Sequence, residues 1–335
     1  MLKSPEISEA VLSGHTADIY FSHTQAILRA EGLDPVVTME VFANAAGILC
    51  GIKEVLALLA QALPADAEVR ALAEGQPVGA KEVALRIQTQ YSTFGLYETA
   101  VLGMLSHCTG WATAARRVVE AAEGVPVVSF GARHVHPLVA DRLEYAAIVG
   151  GCAGCATPAG AELAGVTAVG TIPHALVLIF GDTVEATAAF DRHIGADIRR
   201  VALVDTFKDE AEESLRVAAA LGRKLWGVRL DTPPERGRVT PDLVKEVRAR
   251  LDQAGCAWVK IVVSGGVDAE RIRLFRERGA EVDLYGVGSA ISGAPPIDFT
   301  ADLKAINGVP IAKRGRIPGI TENPRLERIT IADWR

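Results

Sequence analysis

Between Val125 and Ile291 the chain repeats one pattern: a short β-branched run, a small or polar cluster, then an amphipathic stretch. The runs are VPVVSFG, AVGTI, RVALVDT, LWGVRLD, WVKIVVSGG and DLYGVGSAI. Strands buried on both faces read as continuous apolar runs, and alternation with helices at this spacing implies parallel strands joined by crossovers. An α/β barrel satisfies that pattern most economically, with its polar clusters at the carboxyl ends of the strands, where barrel enzymes place their chemistry. The intervening helices carry their own punctuation. Thr240 is placed to cap a helix that begins at Pro241 and stops at Gly255, and Asp268 another that ends at Gly279.

The first hundred or so residues differ. A helical pattern covers Ala43 to Ala62. In Glu74 to Phe94, Val83, Leu85 and Ile87 alternate at period two and predict short strands. Leu96 to Glu123 reads as a helix stopped by Gly124. After Ile291 the rhythm is lost and the tail, with AKRGRIPGI, leaves the barrel. The expected organisation is an N-terminal α/β domain over 1–122, a barrel over 123–291, and a tail over 292–335 that packs back on the first domain.

With 335 residues, 49% of them hydrophobic, the chain can bury a large core without staples. Its net charge of −6 argues against nucleic acid as a partner, since such binders concentrate Lys and Arg to release counterions. Five scattered cysteines make no disulfide framework and fit a reducing compartment, with the cytoplasm as the expected location. The richest apolar stretch, Ala45 to Leu63, carries Lys53 and Glu54, so no membrane span is expected. The opening residues MLKSPEISEA lack the pattern of a signal peptide.

Two glycine loops close consecutive runs: Ser264–Gly265–Gly266, and Gly286 to Ser289 with Gly288 between. Glycine lets a backbone approach a ligand closely, and successive amides there cradle an anion, usually phosphate; tight strand-to-helix turns are the alternative. Arg229 and Asp231 share one face of a strand end, as an ion pair or as a charged clamp with Asp231 on sugar hydroxyls. Asp205 ends the run RVALVDT, and a carboxylate near phosphates suggests magnesium. SFGARHVHP gathers Phe130, Arg133 and His134, an aromatic and cations suited to a flat anionic ring. His174, after AVGTI, reads by itself more as a core or capping histidine than as a catalytic one. The pair Cys152 and Cys155 supplies only two of the four ligands of a structural zinc, so a small-residue turn opening a tightly packed helix is the better reading.

Taken in order, DIYFSHTQAIL, EGQPVGAKEVALRIQTQYSTFGLYETAVLGML, SFGARHVHP, GGCAGCATPAGAELAG, GTIPHALV, VDTFKDE, VRLD, SGG and GVGS resemble the nicotinate phosphoribosyltransferase family, with its nicotinamide and quinolinate relatives. The resemblance runs nearly end to end. It implies an N-terminal α/β sandwich domain beside an irregular α/β barrel, and homodimers whose active sites borrow residues from the partner. The implied reaction joins nicotinate to phosphoribosyl pyrophosphate with Mg2+ and releases pyrophosphate, in NAD biosynthesis, with ATP as a co-substrate. By the same resemblance Phe130 and a partner's Tyr20 sandwich the pyridine ring. Arg133, His134 and Arg229 face anionic groups, and Asp231 the ribose. Ser264, Gly265, Gly266, Gly286, Gly288 and Ser289 take the 5′-phosphate. Thr157 and Lys208 belong to the substrate-binding set, Asp205 to the catalytic and metal-binding set, and His174 is the histidine that ATP phosphorylates, a neutral imidazole being a competent nucleophile. The family commonly has an Arg where this chain has His134. Nicotinamide-using members have an Asp where this chain has Ala156. The alternatives carried forward are a quinolinate phosphoribosyltransferase and a non-catalytic mononucleotide binder.

Overall fold

The computed structural model describes residues 6–334; the first five residues, on which part of the leader reading rests, and Arg335 lie outside them. The chain divides into two compact units. One comprises residues 1–113, 163–165 and 294–335, the other residues 114–162 and 166–293.

The first unit opens with helices α1 (Glu9–Leu12) and α2 (Ile19–Ala30), then strand β1 (Val36–Ala43). The expected helix over Ala43 to Ala62 begins only at Ile52. Before it lies strand β2 (Gly47–Ile48), paired with β4 (Pro77–Val78), and the helix proper is α3 (Ile52–Ala62). The reason is Gly51, whose backbone sits at φ 97° where a Cβ would come within 2.6 Å of the Met104 carbonyl; only glycine turns the chain there. Strands β3 (Glu68–Ala71) and β5 (Val83–Gln90) complete the stretch, followed by the long helix α4 (Glu98–Ala122). In β5 the residues Val83, Leu85 and Ile87 are all buried, as their alternation predicts.

Near its centre this sheet buries a charge. Glu40 of β1 lies opposite Arg86 of β5 and is only 1% exposed, 2.8 Å from the guanidinium. Its carboxylate also accepts the Thr321 amide at 3.0 Å, which satisfies it. The core joins Val37, Met39 and Val41 to Leu85, Ile87, Val55 and Leu59.

The second unit holds strands β6 (Val127–Ser129), β7 (Gly154–Cys155), β8 (Arg200–Leu203), β9 (Leu225–Leu230), β10 (Lys260–Val263) and β11 (Leu284–Val287). They form one parallel sheet in the order β7-β6-β11-β10-β9-β8, curled and open between its ends, a half-barrel. The run AVGTI is not a strand. Its place in the sheet is taken by Gly154–Cys155; Val169 donates one bond to the Cys155 carbonyl at 2.8 Å, and the chain then leaves through Gly170 and Pro173.

Helices α5 (Ala140–Val149), α6 (Pro158–Ala164), α7 (His174–Phe180), α8 (Thr183–His193), α9 (Glu210–Leu221), α10 (Pro241–Gln253), α11 (Ala269–Glu277) and α12 (Ser289–Ser292) link these strands or follow them. Thr240 and Asp268 accept the amides of Leu243 and Arg271 at 3.2 and 2.8 Å, the two caps the sequence predicts. Asp182 and Asp209 cap α8 and α9 in the same way.

Beyond α12 the chain adds strands β12 (Phe299–Ile306), β13 (Val309–Pro310) and β14 (Glu327–Ile329) to the first unit, giving an antiparallel order β13-β12-β1-β5-β3-β14. The units part at residues 113 and 114, inside α4, rather than at its end near residue 122 as expected. The physical reason is that α4 is one unbroken helix of 25 residues whose first turns, with Val101 and Leu105, already belong to the core of the first unit.

Candidate functional site

Parallel strands bring their carboxyl ends to one side, and a cavity of about 450 Å³ opens there in the second unit. It is lined from the ends of β6, β9, β10 and β11 and from the irregular segment 169–174.

Its floor is a ring on bare backbone. A Cβ on Gly286 would come within 2.3 Å of Phe130 Cε2, and one on Gly288 within 2.8 Å of His134 Cε1. Both glycines are therefore required for the ring and the imidazole to lie where they do. His134 Nδ1 is 3.1 Å from Ser292 Oγ.

Beside them stands the Arg229–Asp231 pair at 3.4 Å. Asp231 Oδ1 accepts Ser264 Oγ at 2.8 Å, and Thr171 Oγ1 accepts from Arg229 Nη1. Arg229 Nε is buried with no partner. Burial pulls the Arg229 pKa down, opposed by Asp231 and Asp205 and reinforced by Arg133. An enclosed cation with an unused N–H is prepared for an anion. Gly265 and Gly266 have φ of 82° and 69°, so their amides turn through a left-handed loop of the kind that binds phosphate.

At the opposite wall His174 opens α7, with Nε2 3.2 Å from Asp205 Oδ1. The Asp205 side chain is fully enclosed and its Oδ2 has no partner, whereas the His174 side chain is 40% exposed. Burial raises the Asp205 pKa, and His174 opposes the rise. The imidazole is thus held through Nε2 by Asp205, and the residue lines the cavity.

The structure gathers Phe130, Arg133, His134, His174, Arg229, Asp231, Ser264, Gly265, Gly266, Gly286, Gly288 and Ser289 around this one cavity. It does not bring every expected residue there. Asp205 lies behind His174. Thr157 is turned away, its Oγ1 accepting the Gly160 amide at 3.2 Å as the cap of α6. Lys208 is exposed and paired with Glu212 one helical turn on. Tyr20 belongs to the first unit, 56% exposed, with its hydroxyl 3.4 Å from Asp18. Among the described residues no cluster of three metal-binding side chains occurs. Cys152 and Cys155 are buried free thiols, with Cys155 pushed up to about 11 by burial and the nearby Glu144.

Glu144 is a site residue that the sequence reading does not single out. It is wholly buried on α5, accepts Ser129 Oγ at 2.7 Å and the Thr157 amide at 3.2 Å, and binds the Ala156 amide as well. It therefore ties the end of β6 to the turn whose Ala156 lines the cavity. The signal was present: Glu144 falls on the apolar stripe of Leu143 and Ala147, where a carboxylate needs buried partners. Thr171, which holds Arg229, gave no such signal.

A half-barrel with a glycine-built loop at the carboxyl ends of its last strands places the chain among the α/β proteins that keep their sites at that end. Comparison makes this specific. The chain belongs to the quinolinate phosphoribosyl transferase family: residues 18–109 match its N-terminal domain and residues 111–302 its C-terminal domain. The structure of nicotinate-nucleotide pyrophosphorylase from Pyrococcus furiosus is 41% identical with a TM-score of 0.87, over 98% of this chain and 86% of that one. The nicotinate phosphoribosyltransferase pncB1 of Mycobacterium tuberculosis is 34% identical over 256 residues, 74% of this chain and 55% of that protein. This chain thus spans about half the length of the curated relatives it matches. Human nicotinic acid phosphoribosyltransferase, at 20% identity and a TM-score of 0.72, shares the fold.

Proposed function

We propose that the protein is a nicotinate phosphoribosyltransferase, forming nicotinate mononucleotide and pyrophosphate from nicotinate and phosphoribosyl pyrophosphate. The observation that carries this reading is the Phe130 ring seated on bare Gly286, beside the Arg229–Asp231 pair and the glycine loop. A flat ring stacks on Phe130, a carboxylate meets Arg133 or Arg229, and the ribose hydroxyls reach Asp231, which Ser264 and Arg229 hold in place. The backbone of Gly265, Gly266, Gly288 and Ser289 takes the 5′-phosphate.

Little chemistry is then asked of side chains. The pyridine nitrogen attacks C1 of the ribose, the bond to pyrophosphate breaks with its electron pair, and no general base is needed. Positioning and fixed charge lower the barrier. Magnesium supplies neutralisation of the departing pyrophosphate. Asp231, which lines the cavity, is the carboxylate that would hold it, while Asp205 is bonded to His174 and does not line the cavity.

ATP coupling is part of the proposal. With Nε2–H donating to Asp205, His174 Nδ1 carries the lone pair that attacks the γ-phosphorus of ATP while the bond to the bridging oxygen breaks, releasing ADP and leaving a phosphohistidine. A shared active site in a homodimer is part of it too, supported by Ile19, Tyr20 and Ile27 on α2, which are 67%, 56% and 61% exposed. Mixed Tyr20→Ala and Asp231→Ala chains then recover activity in hybrids.

Quinolinate is the rival substrate, favoured by the family name. A second carboxylate calls for a further cation beside Arg133 and Arg229, the two arginines that line this cavity. The test is purified protein with phosphoribosyl pyrophosphate, magnesium and each acid, with and without ATP. Mononucleotide from nicotinate is expected. Carbon dioxide released from quinolinate decides for the rival, and tight mononucleotide binding without turnover decides for a non-catalytic binder.

A further inference from the structure

A larger cavity, about 690 Å³, lies at the other end of the same parallel strands. Its walls come from the starts of β8, β9 and β10 and the turns that precede them. Five basic side chains face two carboxylates there, in a chain whose net charge is −6. Two tryptophans, Trp226 and Trp258, supply its aromatic surface.

The wall is built, not incidental. Arg200 is 6% exposed and donates to the carbonyls of Gly195 and Ile194 at 2.9 and 2.6 Å and to Asp191 at 3.1 Å, so the turn before β8 is fixed in place. Lys224 is held by Asp191 and Lys260 by Asp283, so both ammonium groups already have a carboxylate partner. Arg199 and Arg223 differ: among the described residues neither has a carboxylate within ion-pairing distance. Instead Arg199 lies over Trp226 at 4.7 Å and Arg223 over Trp258 at 4.0 Å. A guanidinium stacked on an indole is flattened and pre-oriented, with its edge N–H groups free for phosphate oxygens. Trp258 Nε1 is buried with no acceptor in reach. Two guanidiniums without carboxylate partners and two indoles lining one cavity suit an anion that also carries a flat ring.

We propose that this cavity is a second ligand site, for a nucleotide, with the base against Trp226 and Trp258 and the phosphates on Arg199 and Arg223. Its concave walls and volume suit a small molecule of that size. The proposal does not rest on the reading of the first cavity.

Tryptophan emission of the full chain, titrated with ATP, adenosine and tripolyphosphate, tests it. ATP is expected to shift the emission, with adenosine and tripolyphosphate each binding about tenfold more weakly or worse. The Arg199→Ala/Arg223→Ala double variant, altered only at exposed side chains, is expected to lose about tenfold or more in ATP affinity while staying folded, with a melting temperature lowered by only a few degrees. Arg229→Ala, in the first cavity, is expected to leave this shift in place. The proposal is overturned if ATP gives no shift, if tripolyphosphate binds as tightly as ATP, or if Arg229→Ala abolishes the shift while the double variant retains it.

Discussion

Replacing Glu144 separates what its hydrogen bonds contribute from what its charge contributes. The carboxylate is fully buried and has three donors around it: Ser129 Oγ and the amides of Ala156 and Thr157. Glu144→Gln keeps an oxygen for the two amides, and its new NH2 faces a serine hydroxyl that rotates to accept. All three contacts survive, so the loss is that of charge assistance, about 1 kcal/mol. Glu144→Ala leaves the buried Ser129 hydroxyl and two part-buried amides at the turn into α6 without their acceptor and removes the side chain beyond the Cβ that packs against Gly160. At roughly 1–3 kcal/mol for each unsatisfied group, the expected cost is about 4 kcal/mol. Denaturant unfolding at constant m-value measures both. A second readout is thiol chemistry: Glu144 adds to the burial that holds Cys152 at about 12 and Cys155 at about 11, so both variants make these thiols easier to alkylate in the native state. The reasoning is refuted if Gln costs as much as Ala, or if neither variant moves the unfolding midpoint.

Gly286→Ala puts a methyl where the Phe130 ring now lies; the ring must turn out, and nicotinate affinity is expected to fall about tenfold in the KM with a smaller change in stability. Glu98 is pushed up to about 7 by burial and by Asp302 and Asp18, against the pull of Lys313. The folded state thus binds more protons than the unfolded between about pH 4.5 and 7, and stability falls as pH rises through that window. Glu98→Gln is expected to flatten this slope and to gain on the order of 2 kcal/mol at pH 8, measured by thermal melts at pH 5 and pH 8; an unchanged slope contradicts the assignment. Thr240→Ala removes the cap on Leu243 and is expected to cost about 1 kcal/mol without altering turnover. His174→Asn is expected to abolish ATP stimulation and acid-labile phosphate while basal synthesis persists; a wild type showing neither signal removes the coupling step.

By itself the sequence determined the elements whose signals are local. The alternation of Val83, Leu85 and Ile87 marks a strand because period two is a property of the strand alone, and Thr240 and Asp268 mark helix starts because a cap is satisfied within one turn. The Gly265–Gly266 loop was legible too, since a left-handed turn favours a residue without Cβ wherever it falls. Only the tertiary structure decided which partners meet. That AVGTI yields its place in the sheet to Gly154–Cys155 depends on a pairing with β6 that neither segment records. That Thr157 caps a helix while Ala156 lines the cavity is settled by Glu144, twelve residues earlier. And the two cavities at opposite ends of β9, one with Arg229 and Asp231, the other with Arg223 and Trp226, exist because parallel strands align their ends in space while the chain order separates them.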